Sequence, residues 1–383
     1  MDKQVYEIWL QQALGYGNYQ IKIILDLYKS AKEFYDSGEY GWRLCGCFTS
    51  KQIDKIGSTS IDDAYNIFRK CKDLNYKILS IFDEEYPRLL KEISDPPAVI
   101  YVMGDETCFK NEISIAFVGA REATPYGMNL SKSMAYKAAL SGANVVSGGA
   151  LGIDAAAHEG AIEAGGSTIA VLGCGINTNY LISNSFLRSK IAKSGVLISE
   201  YPPDYPAFAC NFPKRNRIIS GLSDATVVVE AGKKSGSLIT ANLANNQNRD
   251  VFVAPIDLRS PLSEGIISLI NDGVKVVVDM EDLVKSYEHK LKNNFPSISI
   301  KRPAFSSLHE EKPKAKENVS PEVPENISEN AKKVYDILGE GAMNADLICK
   351  KSGMKIEIVL SSLTELEIYG LIKNNTGKEY EKI

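Results

Sequence analysis

Histidine is almost missing from this chain: His158, His289 and His309 are its only three, too scattered to form a histidine metal cluster. The seven cysteines, Cys45, Cys47, Cys71, Cys108, Cys174, Cys210 and Cys349, are odd in number and never spaced CxxC. That argues against a disulfide framework or a zinc ribbon and for reduced thiols in a cytosol. No apolar run approaches the roughly 18 residues of a membrane span, and the N-terminus lacks a signal-peptide core. A soluble, cytoplasmic protein is expected. The net charge of −4 and a pI near 5.7 exclude a generally basic nucleic-acid coat, so any polyanion site has to be a local patch. Two nucleotide signatures are missing as well. Gly173-Cys174-Gly175 runs into Ile176-Asn177-Thr178-Asn179 rather than a helix with a third glycine, and Gly232-Lys233-Lys234-Ser235 lacks the upstream glycine of a P-loop. Neither NAD nor an ATP engine is expected, and no cofactor is implied.

What is present divides the 383 residues into segments, since that length exceeds one ordinary core. Over residues 2 to about 75, apolar positions recur at helical spacing, as in Val5, Ile8, Trp9 and Leu10, with breaks at Gly15–Gly17, Gly38–Gly41 and Gly57. The spacing predicts a small helical bundle over 1–75. Its LGYGN turn, Leu14 to Asn18, is either a plain connection or a helix-hairpin-helix whose amides meet a phosphate.

From Tyr76 the pattern changes to short β-branched runs alternating with amphipathic stretches. The runs are 78–82, 99–102, 113–118, 144–147, 168–172, 196–199, 225–229, 251–254 and 274–277, and helices are expected over 128–140, 155–164 and 238–245. Continuous apolar runs suit strands covered on both faces. The fold class expected over 76–289 is α/β, a Rossmann-like, doubly wound, mostly parallel sheet with right-handed crossovers. Ligands of such sheets bind outside the carboxyl ends of the strands.

Those ends carry small-residue turns: Gly119-Ala120-Arg121, Ser147-Gly148-Gly149, Gly173-Cys174-Gly175, and Ser235-Gly236-Ser237 opening a helix. Any one of them is explained by tight turning alone; several on one edge make a rim where amides and a helix N-terminus meet an anion. The stretch Phe212–Ser220, FPKRNRIIS, crowds Lys214, Arg215 and Arg217 into four positions, and arginine offers a planar fork to phosphate oxygens. The alternative is a solvated basic turn. Asp154 and His158 fall four apart on one helical face, as an acid–base pair for hydrolysis or, the favoured reading, as a helix cap and its packed partner.

Residues 290–325 carry lysines and prolines without periodicity and are expected to be a flexible linker. Over 326–383 a first helix with Ala331, Val334, Tyr335 and Leu338 inward, a second from Asn344, a third with Ile356, Val359, Leu360, Leu363 and Leu366 inward, and a hairpin around Asn375-Thr376-Gly377 make a winged-helix plan. Its third helix bears Glu357, Glu365 and Glu367 against Lys355, which favours a protein-contact or regulatory role over duplex reading.

Six ordered stretches carry a resemblance: YPRLL with DPPAVIYVMG (Tyr86 to Gly104), IAFVGAREATPYG (Ile115 to Gly127), VVSGGALGIDAAAHEGA (Val145 to Ala161), ISEYPP (Ile198 to Pro203), FPKRNRIISGLS (Phe212 to Ser223) and SGSLITANLA (Ser235 to Ala244). Together they resemble the DNA-processing protein A (DprA/Smf) family, over about half the chain. The resemblance implies a non-enzymatic protein that binds single-stranded DNA, dimerises, and loads the RecA recombinase during natural transformation. It implies DNA-facing roles within the set Gly119, Arg121, Ser147, Gly148, Gly149, Lys214, Arg215, Asn216, Arg217, Ser235, Gly236 and Ser237. A homodimer contact is expected near Leu269, Ile270 and Val274, because Ile266, Ile267, Leu269 and Ile270 give a short helix more apolar sides than one sheet face requires. The alternative is a nucleotide phosphoribohydrolase, disfavoured because EAGKKSGSLIT stands where such enzymes carry PGGxGT.

Overall fold

A computed structural model describes residues 2–110, 113–180, 184–257, 259–292, 327–338, 343–369, 371–375 and 379–382. The chain forms two units, over 1–298 and 299–383. The expected linker lies, from residue 293, outside the described residues.

Six helices open the first unit: α1 (Lys3–Leu14), α2 (Gln20–Leu27), α3 (Ala31–Asp36), α4 (Gly38–Leu44), α5 (Ser50–Ser58) and α6 (Ile61–Asp73). Side-chain caps fix several starts, and Thr49 with Gln52 forms a reciprocal capping box at α5. These helices share one core with the sheet: Val5, Ile8, Trp9 and Phe34 pack in the same cluster as Val99, Tyr101, Ala170, Leu172 and Leu197. Gln11 fastens them further, its amide nitrogen donating to Val99 O at 2.9 Å and Glu200 O at 2.8 Å.

The sheet has nine strands: β1 (Lys77–Ser80), β2 (Val99–Gly104), β3 (Ser114–Val118), β4 (Asn144–Ser147), β5 (Thr168–Leu172), β6 (Val196–Ser199), β7 (Ala225–Val228), β8 (Asp250–Val253) and β9 (Lys275–Val276). Their order is β1-β2-β6-β5-β4-β3-β7-β8-β9. From β6 to β9 all neighbours are parallel, whereas β1 and β2 join antiparallel at one edge. The helices between strands are α7 (Arg88–Glu92), α8 (Pro125–Leu140), α9 (Ile153–Glu163), α10 (Ser185–Ser194), α11 (Asn211–Gly221), α12 (Gly236–Asn246) and α13 (Glu264–Asn271), and α14 (Met280–Lys292) follows β9.

Two-residue alternation sorts β3 between layers: Ile115 and Phe117 face α8 and α9 with Met134, Ile153 and Ala157, while Ala116 and Val118 face the α11–α12 side with Ile218, Ile219 and Ala241. Each such fully buried Ile, Val or Phe contributes about 1.5–3 kcal/mol. The winding starts at β3, runs outward to β6, then returns to β7 on β3's other side, so the switch point lies between β3 and β7.

The second unit carries α15 (Glu329–Ile337), β10 (Met343–Asn344), α16 (Ala345–Ser352), α17 (Ile356–Ile368), β11 (Ile372–Asn375) and β12 (Glu379–Lys382), with strands ordered β10-β12-β11. This is the winged-helix plan, although the tip of the expected hairpin, 376–378, lies outside the described residues. Two expected core positions are exposed. Val359, Leu363 and Leu366 are buried, but Ile356 and Leu360 fall on the neighbouring stripe of α17 and face solvent. Glu365 is internally engaged, accepting from Ser328 N at 2.7 Å and Ser328 Oγ at 2.6 Å. Among the described residues no helix is long and apolar enough to cross a membrane.

Candidate nucleic-acid interface

The basic stretch, to which periodicity assigned no element, is helix α11. On a helix each residue turns about 100°, so side chains two apart diverge by about 200°. Arg215 and Arg217 therefore separate. Arg215 reaches the carboxyl ends of the strands, donating from Nη1 to Gly148 O at 2.8 Å and to Val171 O. Arg217 turns the other way, its Nη2 2.5 Å from Glu200 Oε1 and its Nε 3.1 Å from Asp95 Oδ2. Lys214 is exposed.

A cavity of about 400 Å³ opens at the switch point. Arg121, after β3, and Ser235–Ser237, at the start of α12, line it with Phe212, Tyr180, Asp154 and Arg215. Ser235 caps α12, its Oγ accepting from Ser237 N at 3.3 Å, so the positive end of an eleven-residue helix opens beside the cavity. The exposed Arg121 guanidinium lies 5.6 Å from the centroid of the Phe212 ring, and the Tyr180 ring packs against Phe212 with centroids 4.9 Å apart, tilted by 37°. A cation and two π-faces thus share one wall, a combination that accepts phosphate and base together.

The backbone that presents Arg121 is held from two sides. Glu230, after β7, accepts from Thr124 N at 2.9 Å and Thr124 Oγ1 at 2.6 Å, bracing the start of α8. Gly152 has φ +74°, and a Cβ there would stand 2.4 Å from both Ala120 O and Arg121 O, so only glycine lets α9 approach this loop.

Below the cavity, Gly148 separates Arg215 from Asp154. Asp154 Oδ2 accepts from Gly148 N at 3.1 Å and Ala150 N at 3.4 Å. Burial raises the Asp154 carboxyl above the ordinary range, against the opposing pull of Arg215 and those amides. Burial also lowers the Arg215 guanidinium, with Asp154 opposing. His158 is fully buried, its Nδ1 2.7 Å from Thr168 Oγ1, and burial followed by Arg215 pushes it down to about 3. A neutral imidazole turned toward Thr168 is a packed residue, not the acid–base partner of Asp154. Asp154 itself lies in the first turn of α9 and ties the preceding loop, while Gly152 takes the cap position.

The expected set therefore divides. Gly119, Arg121, Arg215, Asn216 and Ser235–Ser237 line the cavity. Gly148 and Gly149 line a small recess that shares Arg121, Tyr180, Phe212 and Arg215 with it. Ser147 is buried, with Oγ donating to Phe117 O at 2.6 Å, and Arg217 lies outside both. Most of the glycine turns serve close packing rather than free amides: Gly148 N is held by Asp154, Ala120 N by Glu230 O, and Gly173 admits the Phe212 ring, which a Cβ would meet at 2.8 Å. Sequence reasoning missed Phe212 and Tyr180, whose signal was aromatics beside glycine turns, and the exposed Lys233 and Lys234 just before Ser235. The LGYGN turn is likewise engaged internally, Gly17 N donating to Glu200 Oε1 at 3.2 Å.

A doubly wound α/β core with an arginine- and aromatic-lined cavity at its switch point, joined in one chain to a winged-helix unit, defines the class of protein. The chain belongs to the DNA recombination-mediator protein A family, whose sequence pattern matches residues 77–288, and the DprA winged helix domain matches residues 318–378. Protein Smf of Synechocystis sp. is 31% identical over 405 aligned positions, covering 99% of each chain. The X-ray structure of DNA processing protein A from Streptococcus pneumoniae superposes with a TM-score of 0.65 at 32% identity, covering 74% of this chain and 98% of that one. DNA processing protein A from Helicobacter pylori, solved for its single-stranded DNA binding mode, gives a TM-score of 0.51 at 30% identity over 56% of this chain and 96% of that one.

Proposed function

We propose that the cavity at the β3–β7 switch point binds single-stranded DNA, and that the protein passes the strand to a RecA-type recombinase. The observation that carries this is the Arg121–Phe212–Tyr180 wall: a guanidinium over one ring and a second ring packed at a tilt against it, beside a helix N-terminus. Stacking on aromatics needs unpaired bases, which a single strand offers and a duplex withholds. Phosphates are contacted by Arg121, Arg215, Lys214 and the amide at Gly236, with Gly119 and Asn216 shaping the rim. The single-stranded DNA binding of the Helicobacter pylori relative supports the reading.

The role is non-catalytic, supported by the neutral, inward-turned His158 and the backbone-bound Asp154. The protein acts as a homodimer through the late sheet edge. There β9 has only two residues and Ile270, Val276 and Val278 are exposed, while Leu269 and Val274 lean on the monomer core.

A fluorescence-anisotropy titration comparing a labelled single strand with its duplex tests the function. Binding of the single strand at least tenfold tighter is expected; equal affinity would sink it.

A further inference from the structure

Arg217 belongs to the same basic run as Lys214 and Arg215, yet it takes no part in the cavity. It is 3% exposed. Around its guanidinium meet three segments remote in sequence. Glu200, just after β6, approaches Nη2 at 2.5 Å. Asp95, ahead of β2, offers its carboxylate at 3.1 Å and its carbonyl at 3.2 Å to Nε. The turn between α1 and α2 completes the site: Gly17 N donates to the same Glu200 Oε1 at 3.2 Å, and Gly17 sits so close that a Cβ would be 3.6 Å from Arg217 Nε.

The turn is held there by more than this bond. Tyr16 packs on Tyr201 at 4.6 Å and on Tyr205 at 5.4 Å, on the loop that runs from β6 into α11. Burial pulls the Arg217 guanidinium down, and the Glu200 and Asp95 carboxylates together more than offset this, so the cation is held charged. A buried ion pair of this kind contributes little net stability against an apolar replacement, but it fixes geometry, because breaking one side strands the other charge. What it fixes is the rotation of α11 about its axis, and with it the direction of Phe212 and Arg215 on the opposite face.

We propose that the Arg217–Glu200 pair is a positioning clamp: it sets the rotation of α11 against the docked N-terminal helices, and so sets nucleic-acid affinity without touching nucleic acid. This rests on the single-strand reading of the cavity. A simple charge effect makes the opposite forecast for one partner, since removing the Glu200 carboxylate should strengthen binding to a polyanion. The clamp forecasts weaker binding.

The test uses the full chain with Glu200→Gln, Arg217→Gln and the double variant, each first checked by circular dichroism to be folded at the assay temperature, since a lowered thermal midpoint is expected of the single variants. Affinity for an oligothymidine is measured across a salt series, and hydrogen–deuterium exchange is followed in the protein alone. Each single variant should lose roughly tenfold in affinity, and the double variant no more than either single, as for residues in one network. The salt slope should stay at its wild-type value, whereas a lost phosphate contact would shrink it by about 0.7. Exchange should quicken both in α11 and in the turn around Gly17. Tighter binding by Glu200→Gln, a reduced slope in Arg217→Gln, or unchanged exchange in α11 overturns the clamp. Should Arg217→Gln fail to fold, the near-isosteric Glu200→Gln decides alone. If the wild-type protein ignores the oligonucleotide, the single-strand reading fails, and the exchange arm still decides whether Glu200 and Arg217 hold α11 to the turn.

Discussion

Arg215 and Asp154 face each other across Gly148, and a Cβ on that glycine would stand 2.6 Å from Arg215 Nη2 and 2.7 Å from Asp154 Oδ2. The missing methyl is what lets a buried cation and a buried anion lie side by side under the cavity. Gly148→Ala should therefore destabilise the protein by about 1–3 kcal/mol, the usual cost of overpacking a tight site. A thermal or urea melt measures this. An unchanged midpoint would show that the two side chains swing apart freely, and that Arg215 is not locked.

Arg121 is exposed, with its guanidinium over the Phe212 ring, so its loss should leave the fold intact. Arg121→Ala should weaken single-strand binding by a similar factor for unrelated sequences, because phosphate contacts position a strand but do not read it. The salt slope should become shallower by about 0.7. Sequence-dependent loss would mean that Arg121 reads bases.

Two buried groups work against each other in acid. Burial, then Asp83, lifts Glu7 from 4.5 to about 7, while burial lowers His158 from 6.5 to about 3. Between pH 4.5 and 6.5 the folded protein holds the extra proton on Glu7 and the unfolded chain holds it on His158. The first makes stability fall as pH rises and the second makes it rise, each by up to about 1.4 kcal/mol per unit. Wild-type stability should thus be nearly flat there with respect to these two groups. Glu7→Gln removes the falling contribution, so its stability relative to wild type should grow as pH climbs from 4.5 to 7. Denaturant midpoints that track each other across this range would refute the burial of a protonated Glu7.

The proposed dimer predicts that Ile270→Asp, at an exposed position of the same edge, gives a folded monomer with weaker affinity for long strands and unchanged affinity for very short ones, since only long strands bridge two cavities. Light scattering reports the mass. A monomeric wild-type protein at micromolar concentration, or a variant that unfolds, would remove the proposal at this edge.

Much of the fold was legible because its strands are short apolar runs bounded by glycine, and alternation with amphipathic stretches leaves few alternatives to a doubly wound sheet. The antiparallel β1 and β2 were not legible as such, since an apolar run does not declare its direction. The site was legible as a region, through the turns after β3 and before α12, but not as a constellation. Reading Lys214, Arg215 and Arg217 as neighbouring anion seats treated the chain as extended; α11 sends its two arginines to opposite sides, and one of them is neutralised by Glu200. Phe212 was invisible for a related reason: its role depends on Gly173, a residue 39 positions earlier whose bareness admits the ring. The same holds for Gly148, whose smallness admits Arg215 and Asp154 side by side.

The most direct measurement is photocrosslinking of a single strand carrying 5-iodouracil, followed by mass spectrometry of the attached peptides. Iodouracil bonds preferentially to an aromatic ring stacked on it, so the cavity wall itself becomes the reporter. Adducts on Phe212 or Tyr180, lost in Phe212→Ala and suppressed by unlabelled single strand but not by duplex, are the expected result. Adducts confined to α17 of the second unit, or to surfaces away from the β3–β7 switch point, would contradict the assignment.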